Sequence, residues 1–298
     1  MSSRDADDAV PPDRYQSIFF SPKWQHVRYL GWRPARTETK RVAILERHNG
    51  PLVRRLLLSE ANDPAELAAV LVGDGGLLRE TIVHDFTGAD SVGALLLQRG
   101  YHELGSDERL LNIATFVIDL RQDEDALHRA LSTEARRMIR RAQQAGLLFE
   151  DAGEAALGGF HQAHEALATE RNLRRLDQGL VRTMVRDGAA RLFTVRTGSS
   201  CVAFALIYLA DRSAFYLHGA ATSRRDGIGY FLQWHSMLAL RRDGIAWYDL
   251  GGVPTLDRGN GIHHFKREFG GQLVLLGREY GKSSGLFRIA RRVKGTAR

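Results

Sequence analysis

The densest set of chemistry-bearing residues is Trp247-Tyr248-Asp249-Leu250-Gly251-Gly252-Val253, followed by Gly261-Ile262-His263-His264-Phe265-Lys266-Arg267-Glu268-Phe269-Gly270-Gly271. A strand that runs into paired glycines lets its backbone approach a ligand closely. Phe265 and Phe269, at i and i+4, share one face of a short predicted helix, and Lys266 sits beside that face. A lysine held by packed aromatics at a strand end has the means to stabilise an oxyanion as it develops on a carbonyl. A plain strand–turn–helix with a solvated lysine reads equally from the same residues.

Two further patterns carry charge. Arg224-Arg225-Asp226-Gly227-Ile228-Gly229 opens a predicted helix and fits R-x-x-G-x-G, in which backbone N–H groups and a helix N-terminus hold the pyrophosphate of an acyl-CoA. An Asp-Gly turn ahead of a helix accounts for the same residues. Arg136, Arg137, Arg140 and Arg141 occupy adjacent positions on successive helical turns and make a basic stripe. With Arg288, Arg291, Arg292, Lys294 and Arg298 that stripe suits the acceptor stem of a tRNA, or else it is the solvated face of a linking helix. There is no P-loop and no G-x-S-x-G elbow. His263-His264 have no acidic or Cys partner at ligand spacing, so no metal is expected, and Cys201, opening an apolar strand, reads as core.

These residues need a scaffold. The chain has 298 residues, 44% hydrophobic and 26% charged, enough for a real core in two ordinary domains or one large one. A single cysteine excludes a disulfide framework and fits a reduced, cytoplasmic compartment. The longest apolar run, Val202 to Ala210, is far short of the ~20 residues of a spanning helix. Residues 1–13 are polar, lack the apolar stretch of a signal peptide and read as a disordered leader. The 42 Lys and Arg against 35 Asp and Glu give +7, mostly from arginine, which suits an anionic partner. Strands are predicted at Arg41–Leu45, Leu52–Leu58, Ala114–Leu120, Leu147–Glu150, Arg191–Arg196, Val202–Tyr208, Ala214–Gly219, Ile245–Leu250 and Leu273–Leu276. Helices are predicted at Asp63–Val72, from Asp90 to Arg99, over Asp123–Ala145 as one long linker, and at Gly159–Glu170, Gly229–Arg242 and Ile262–Phe269.

With these residues in view, the sequence resembles the FemABX transferases. Five segments carry the resemblance in order. They are Ser21 to Arg28 with Trp32, the strand Ala114 to Leu120, the helix Ser132 to Gly146, Tyr230-Phe231-Leu232-Gln233-Trp234, and the Trp247–Gly271 stretch itself. The resemblance implies an α/β chain of two tandem GNAT-like domains, placed here at 14–145 and 146–298. It implies an aminoacyltransferase that moves an amino acid from aminoacyl-tRNA onto the amine of a cell-wall precursor or small peptide, with no metal or dissociable cofactor. It places Lys266 and Phe265 at the reacting carbonyl. It places Arg28 and Arg174 or Arg175 at an anionic or peptidyl acceptor, and Tyr216 and His218 along the pocket, His218 standing where the pattern leads to a Tyr. For the amine's proton the candidates are Asp249 or the tRNA. The alternative is a CoA-dependent N-acyltransferase using Arg224 to Gly229.

Overall fold

A computed structural model describes residues 32–35, 41–71, 76–106, 108–173, 175–223 and 227–293. In chain order the elements are β1 (Arg33–Ala35), β2 (Val42–Asn49), β3 (Leu52–Ser59), α1 (Pro64–Val70), β4 (Arg79–Asp85), α2 (Asp90–Gln98), β5 (His102–Glu103) and β6 (Ala114–Asp119). Then come α3 (Glu124–Ala130), α4 (Thr133–Gln144), β7 (Leu148–Asp151), α5 (Leu157–Arg171), α6 (Gln178–Arg186), β8 (Ala190–Thr197), β9 (Ser200–Ala210) and β10 (Ser213–Ala221). The last are α7 (Ile228–Arg242), β11 (Trp247–Val253), α8 (Gly261–Arg267), β12 (Gln272–Leu275), β13 (Arg278–Ser283) and α9 (Gly285–Val293).

The described residues form a mixed α/β structure with two sheets in two compact units. The described residues of one unit fall within 115–274; those of the other fall within 32–114 and 275–293. This corrects the expected boundary after residue 145. β6 pairs into the sheet of the first unit and takes the linker helices with it, while β13 inserts into the sheet of the second.

The second unit is a sheet ordered β1-β2-β3-β4-β13-β5. β3 and β4 are parallel, so a crossover must join them, and α1 supplies it. Asp63 caps α1 by accepting from Ala65 N at 2.8 Å, with Pro64 in the first turn, as the Asp-Pro pair predicts. Val42, Ile44, Leu57, Leu67, Val83, Val92, Leu96 and Tyr280 form its core. Glu279, fully buried on β13, accepts from the N–H groups of Leu110 and Leu111 at 2.7 Å each and lies 3.0 Å from His84 Nδ1. Those partners satisfy a carboxylate that would otherwise be costly inside a core.

The first unit is a sheet ordered β12-β6-β11-β10-β9-β8-β7. The single helix expected over Asp123–Ala145 is two helices, α3 and α4, because Leu131 leaves the helix at ψ 144 and Ser132 restarts it. Ser132 Oγ accepts from Ala135 N at 3.0 Å, an N-cap inside what reads as continuous helical sequence. α4 packs on α7, and Gly227, at φ +71, begins α7 against it. A Cβ on Gly227 would sit 2.3 Å from Met138 O, so the glycine of the Arg224–Gly229 pattern is required by helix packing whatever else it does.

Candidate active site

The site grows from the end of β11. β10 and β11 are parallel and paired through Ser213↔Trp247, Ala214↔Tyr248 and Phe215↔Asp249, where the ladder stops among the described residues. Asp249 is buried two residues before the first of the two glycines. It accepts from Gly251 N at 2.7 Å and from Thr115 Oγ1 of β6, and Thr115 Oγ1 also lies 2.9 Å from Gly251 O. The Asp–Leu–Gly–Gly turn is thereby tied to the neighbouring strand. Gly251 has φ +77, and a Cβ there would lie 2.8 Å from Tyr216 O and 3.4 Å from Lys266 Nζ. Only glycine fits this turn without strain.

Lys266 comes back to the same turn from α8. Its ammonium donates to Gly251 O and Gly252 O, both at 2.8 Å, and the residue is only 9% exposed. Burial pulls its pKa from 10.5 down to about 8, opposed by the charge of Asp249. The lysine is therefore not the solvated residue that one reading of the sequence allows. It is a desolvated cation beside two backbone carbonyls, mostly protonated at neutral pH.

α8 has only seven residues and is held at both ends. Asn260 caps it by accepting from Ile262 N and His263 N at 3.0 and 3.2 Å. Beyond its C-terminus Glu268 accepts from Ser132 Oγ, and Ser132 N donates to Glu268 O at 2.9 Å, joining α8 to the break before α4. Phe265 packs edge-on against Tyr230 of α7 and against Phe269, with centroids 5.0 and 5.2 Å apart. Phe265 thus orients the helix that carries Lys266, as the i, i+4 spacing predicts.

Tyr216 and His218 diverge. A bulge in β10 between them breaks the two-residue alternation. Tyr216 hydrogen-bonds Gln233 of α7, which also accepts from Tyr248 Oη at 2.7 Å; burial raises the Tyr216 pKa to about 12. His218 meets His164 of α5 edge-on at 5.1 Å. Burial, then the neighbouring His164, lowers the His218 pKa to about 3, and burial foremost also lowers those of His164 and His161. All three rings are neutral near pH 7, aromatic walls rather than cations. His161 and His164 line a small open cleft with Glu165, Arg175, Leu176 and Gln178. Arg175, 74% exposed, pairs with Glu165 at 3.0 Å.

The arginine stripe is not uniform. Arg136 donates to Arg129 O at 3.1 Å and Leu131 O at 2.6 Å, closing the end of α3. Arg137 forms a bidentate pair with Glu134 at 2.9 and 2.7 Å. Arg140 and Arg141 are exposed. Arg28, Arg174, Arg224 and Arg225 lie outside the described residues. Sequence reasoning missed Thr115, Ser132, His164 and Gln233. Gln233 carried a signal, as a lone amide in the apolar run Phe231-Leu232-Gln233-Trp234. Thr115 carried none, because a strand threonine is ordinary. Among the described residues no group of three or more His, Cys, Asp or Glu side chains is placed to hold a metal ion. Nor is any helix among them long and apolar enough to cross a membrane.

A family model described as an acetyltransferase (GNAT) domain matches residues 129–267, which span α4 to α8 and include the Lys266 turn. No curated protein matches the sequence. FemX is similar in structure, with a TM-score of 0.69 at 16% identity over 99% of both chains. So is a DUF2156 domain from Agrobacterium fabrum, ascribed to the C-terminal part of a lysylphosphatidylglycerol synthetase, with a TM-score of 0.62 at 13% identity over 98% of this chain and 96% of that one. L-PGS from Bacillus licheniformis reaches 0.59 at 13% identity, over 89% of this chain and 90% of that one. The first unit is thus built on the GNAT transferase fold. Over its whole length the chain is FemABX-like in fold.

Proposed function

We propose that the protein is an aminoacyltransferase that forms an amide bond on an acceptor amine, taking the acyl group from aminoacyl-tRNA. One observation carries this reading: Lys266, a buried ammonium fixed by two carbonyls where the β10–β11 ladder ends. The ester of aminoacyl-tRNA is already activated. Catalysis then consists of orienting the amine, stabilising the tetrahedral oxyanion and letting the ribose oxygen leave with a proton. The amine nitrogen bonds to the carbonyl carbon, the carbon–oxygen bond to the ribose breaks, and the proton lost by nitrogen goes to the departing oxygen. Lys266 would face the oxyanion, with Phe265 setting its position. Asp249 is engaged by Thr115 and Gly251 N, which suits holding the turn and sustaining the lysine's charge better than taking a proton; that leaves the tRNA for the proton. Arg28, Arg174 and Arg175 would meet an anionic or peptidyl acceptor, with Tyr216 and His218 walling the path. Arg140 and Arg141, with Arg136, Arg137, Arg224 and Arg225, would form the tRNA surface. The similarity to FemX in fold supports this reading, and no metal or dissociable cofactor takes part in it.

A CoA-dependent acyltransferase is the second reading. It is favoured by the acetyltransferase domain match and by the start of α7, where Gly227 at the N-cap supplies no side-chain cap to the first N–H groups. Incubation with radiolabelled aminoacyl-tRNA pools and candidate acceptors, with and without ribonuclease, separates the two. Product that appears with charged tRNA and vanishes with ribonuclease supports the first; undiminished transfer from acyl-CoA alone overturns it.

A further inference from the structure

The last helix has a face that the active site does not use. α9 is anchored on one side by Phe287, 2% exposed, and its start is closed by Ser284, whose Oγ accepts from Phe287 N at 3.0 Å and donates to Leu77 O. On the other side Leu286 and Ile289, at i and i+3, are 51% and 61% exposed. Residues three apart lie on one helical stripe, so the two aliphatics form a single outward ridge. Leu77, joined to the first turn through its carbonyl, is 75% exposed. Arg288, between the two ridge residues in sequence, is also exposed. From Ser284 to Arg298 the sequence holds Arg288, Arg291, Arg292, Lys294 and Arg298 and no acidic residue.

Large aliphatics presented to water in a segment whose sequence is basic and free of acidic residues fit one kind of partner. An RNA backbone rewards the arginines but offers nothing to Leu286 and Ile289. An anionic bilayer rewards both, apolar side chains entering the interface while basic ones meet the headgroups. Nine residues span about 14 Å, too short to cross a bilayer and suited to lying on it. We propose that α9 docks this protein on the surface of an anionic lipid membrane, with Leu286 and Ile289 as the inserted residues. This goes beyond the proposed transfer chemistry, since neither residue belongs to the Lys266 site.

The test is co-sedimentation of the full chain with vesicles of phosphatidylcholine alone and of phosphatidylcholine with phosphatidylglycerol, in parallel with a tRNA-binding titration. Leu286→Ser with Ile289→Ser removes only exposed side chains, and circular dichroism confirms that the fold is kept. The expected result is partition onto the phosphatidylglycerol vesicles and little onto the neutral ones. The double variant should lose about tenfold or more of that partition, the equivalent of one aliphatic side chain withdrawn from the interface, with tRNA affinity unchanged. Equal partition onto both vesicle types, no partition at all, or a double variant that partitions like the parent overturns the proposal. Loss of tRNA affinity in the double variant overturns it as well, assigning the helix to nucleic acid.

Discussion

Replacing Lys266 by Met separates a catalytic role from a structural one, because the structure sets opposing terms on stability. Keeping the ammonium buried lowers its pKa from 10.5 to about 8, which corresponds to a cost of about 3 kcal/mol below pH 8. Met removes that cost. It also leaves Gly251 O and Gly252 O without their donor, at about 1–3 kcal/mol each. The two effects oppose each other, and Thr115 Oγ1 still lies 2.9 Å from Gly251 O, so the variant is expected to fold with stability within about 3 kcal/mol of the parent. The rate has no such compensation. Loss of one oxyanion donor lowers kcat by about 10²–10³, and KM for donor and acceptor should change little. Lys266→Arg should recover little of the rate, since a planar fork cannot replace a compact ammonium between two carbonyls. The pH dependence gives a second readout. Between about pH 8 and 10.5 the unfolded chain holds a proton that the folded lysine has lost, so stability rises with pH across that window. Transfer that needs the protonated lysine falls over the start of the same window. Steady-state kinetics and denaturant unfolding of both proteins from pH 7 to 11 measure all of this. Unfolding of the Met variant, or unchanged kcat with raised KM, would show that Lys266 pins the turn or binds substrate and that the oxyanion assignment is wrong.

Two further perturbations probe the surroundings. Gly251→Ala places a Cβ at φ +77 and 2.8 Å from Tyr216 O, and should cost about 2–4 kcal/mol in denaturant unfolding together with much of the activity; a neutral effect would mean that the turn is not constrained as described. Arg140→Ala with Arg141→Ala should lower the slope of log affinity for tRNA against log salt by up to about two, whereas Arg136→Ala should chiefly cost about 1 kcal/mol of stability through its carbonyl contacts at Arg129 and Leu131. An unchanged slope in the double variant assigns these arginines to a solvated face.

Much of the first unit was legible residue by residue. The strands from Arg191 to Leu250 and the helix expected at Gly229–Arg242, found at Ile228–Arg242, follow from β-branched runs and helical punctuation, and the Phe265/Phe269 spacing anticipated the aromatic support of Lys266. The break at Ser132 was illegible because apolar periodicity continues through it. Its cause is a contact with Glu268, a residue 136 positions away. β4 and β13 were missed for a related reason. Arg278–Ser283 is mostly polar, and its identity as a strand comes from pairing with Arg79–Asp85, far off in sequence. The carbonyl partners of Lys266 were equally beyond reach, since backbone direction at a turn is set by tertiary contacts such as Thr115. The unequal state of the four arginines depended on Glu134 and on where α3 ends.

The insertion of β13 between β4 and β5 has a consequence for how the protein is made. The first unit, 115–274, is complete in the nascent chain before the second has the strand that joins β4 to β5, so the strand order of synthesis and the strand order of the sheet disagree. Until Arg278–Ser283 emerge, β4 presents an open ladder edge to the crowded surroundings of the ribosome, and the N–H groups of Leu110 and Leu111 lack the Glu279 carboxylate. Assembly of the unit that holds β1 to β5 therefore waits on a strand that follows the whole of 115–274, and a chain stopped short of Arg278 leaves that unit unfinished while the other is whole.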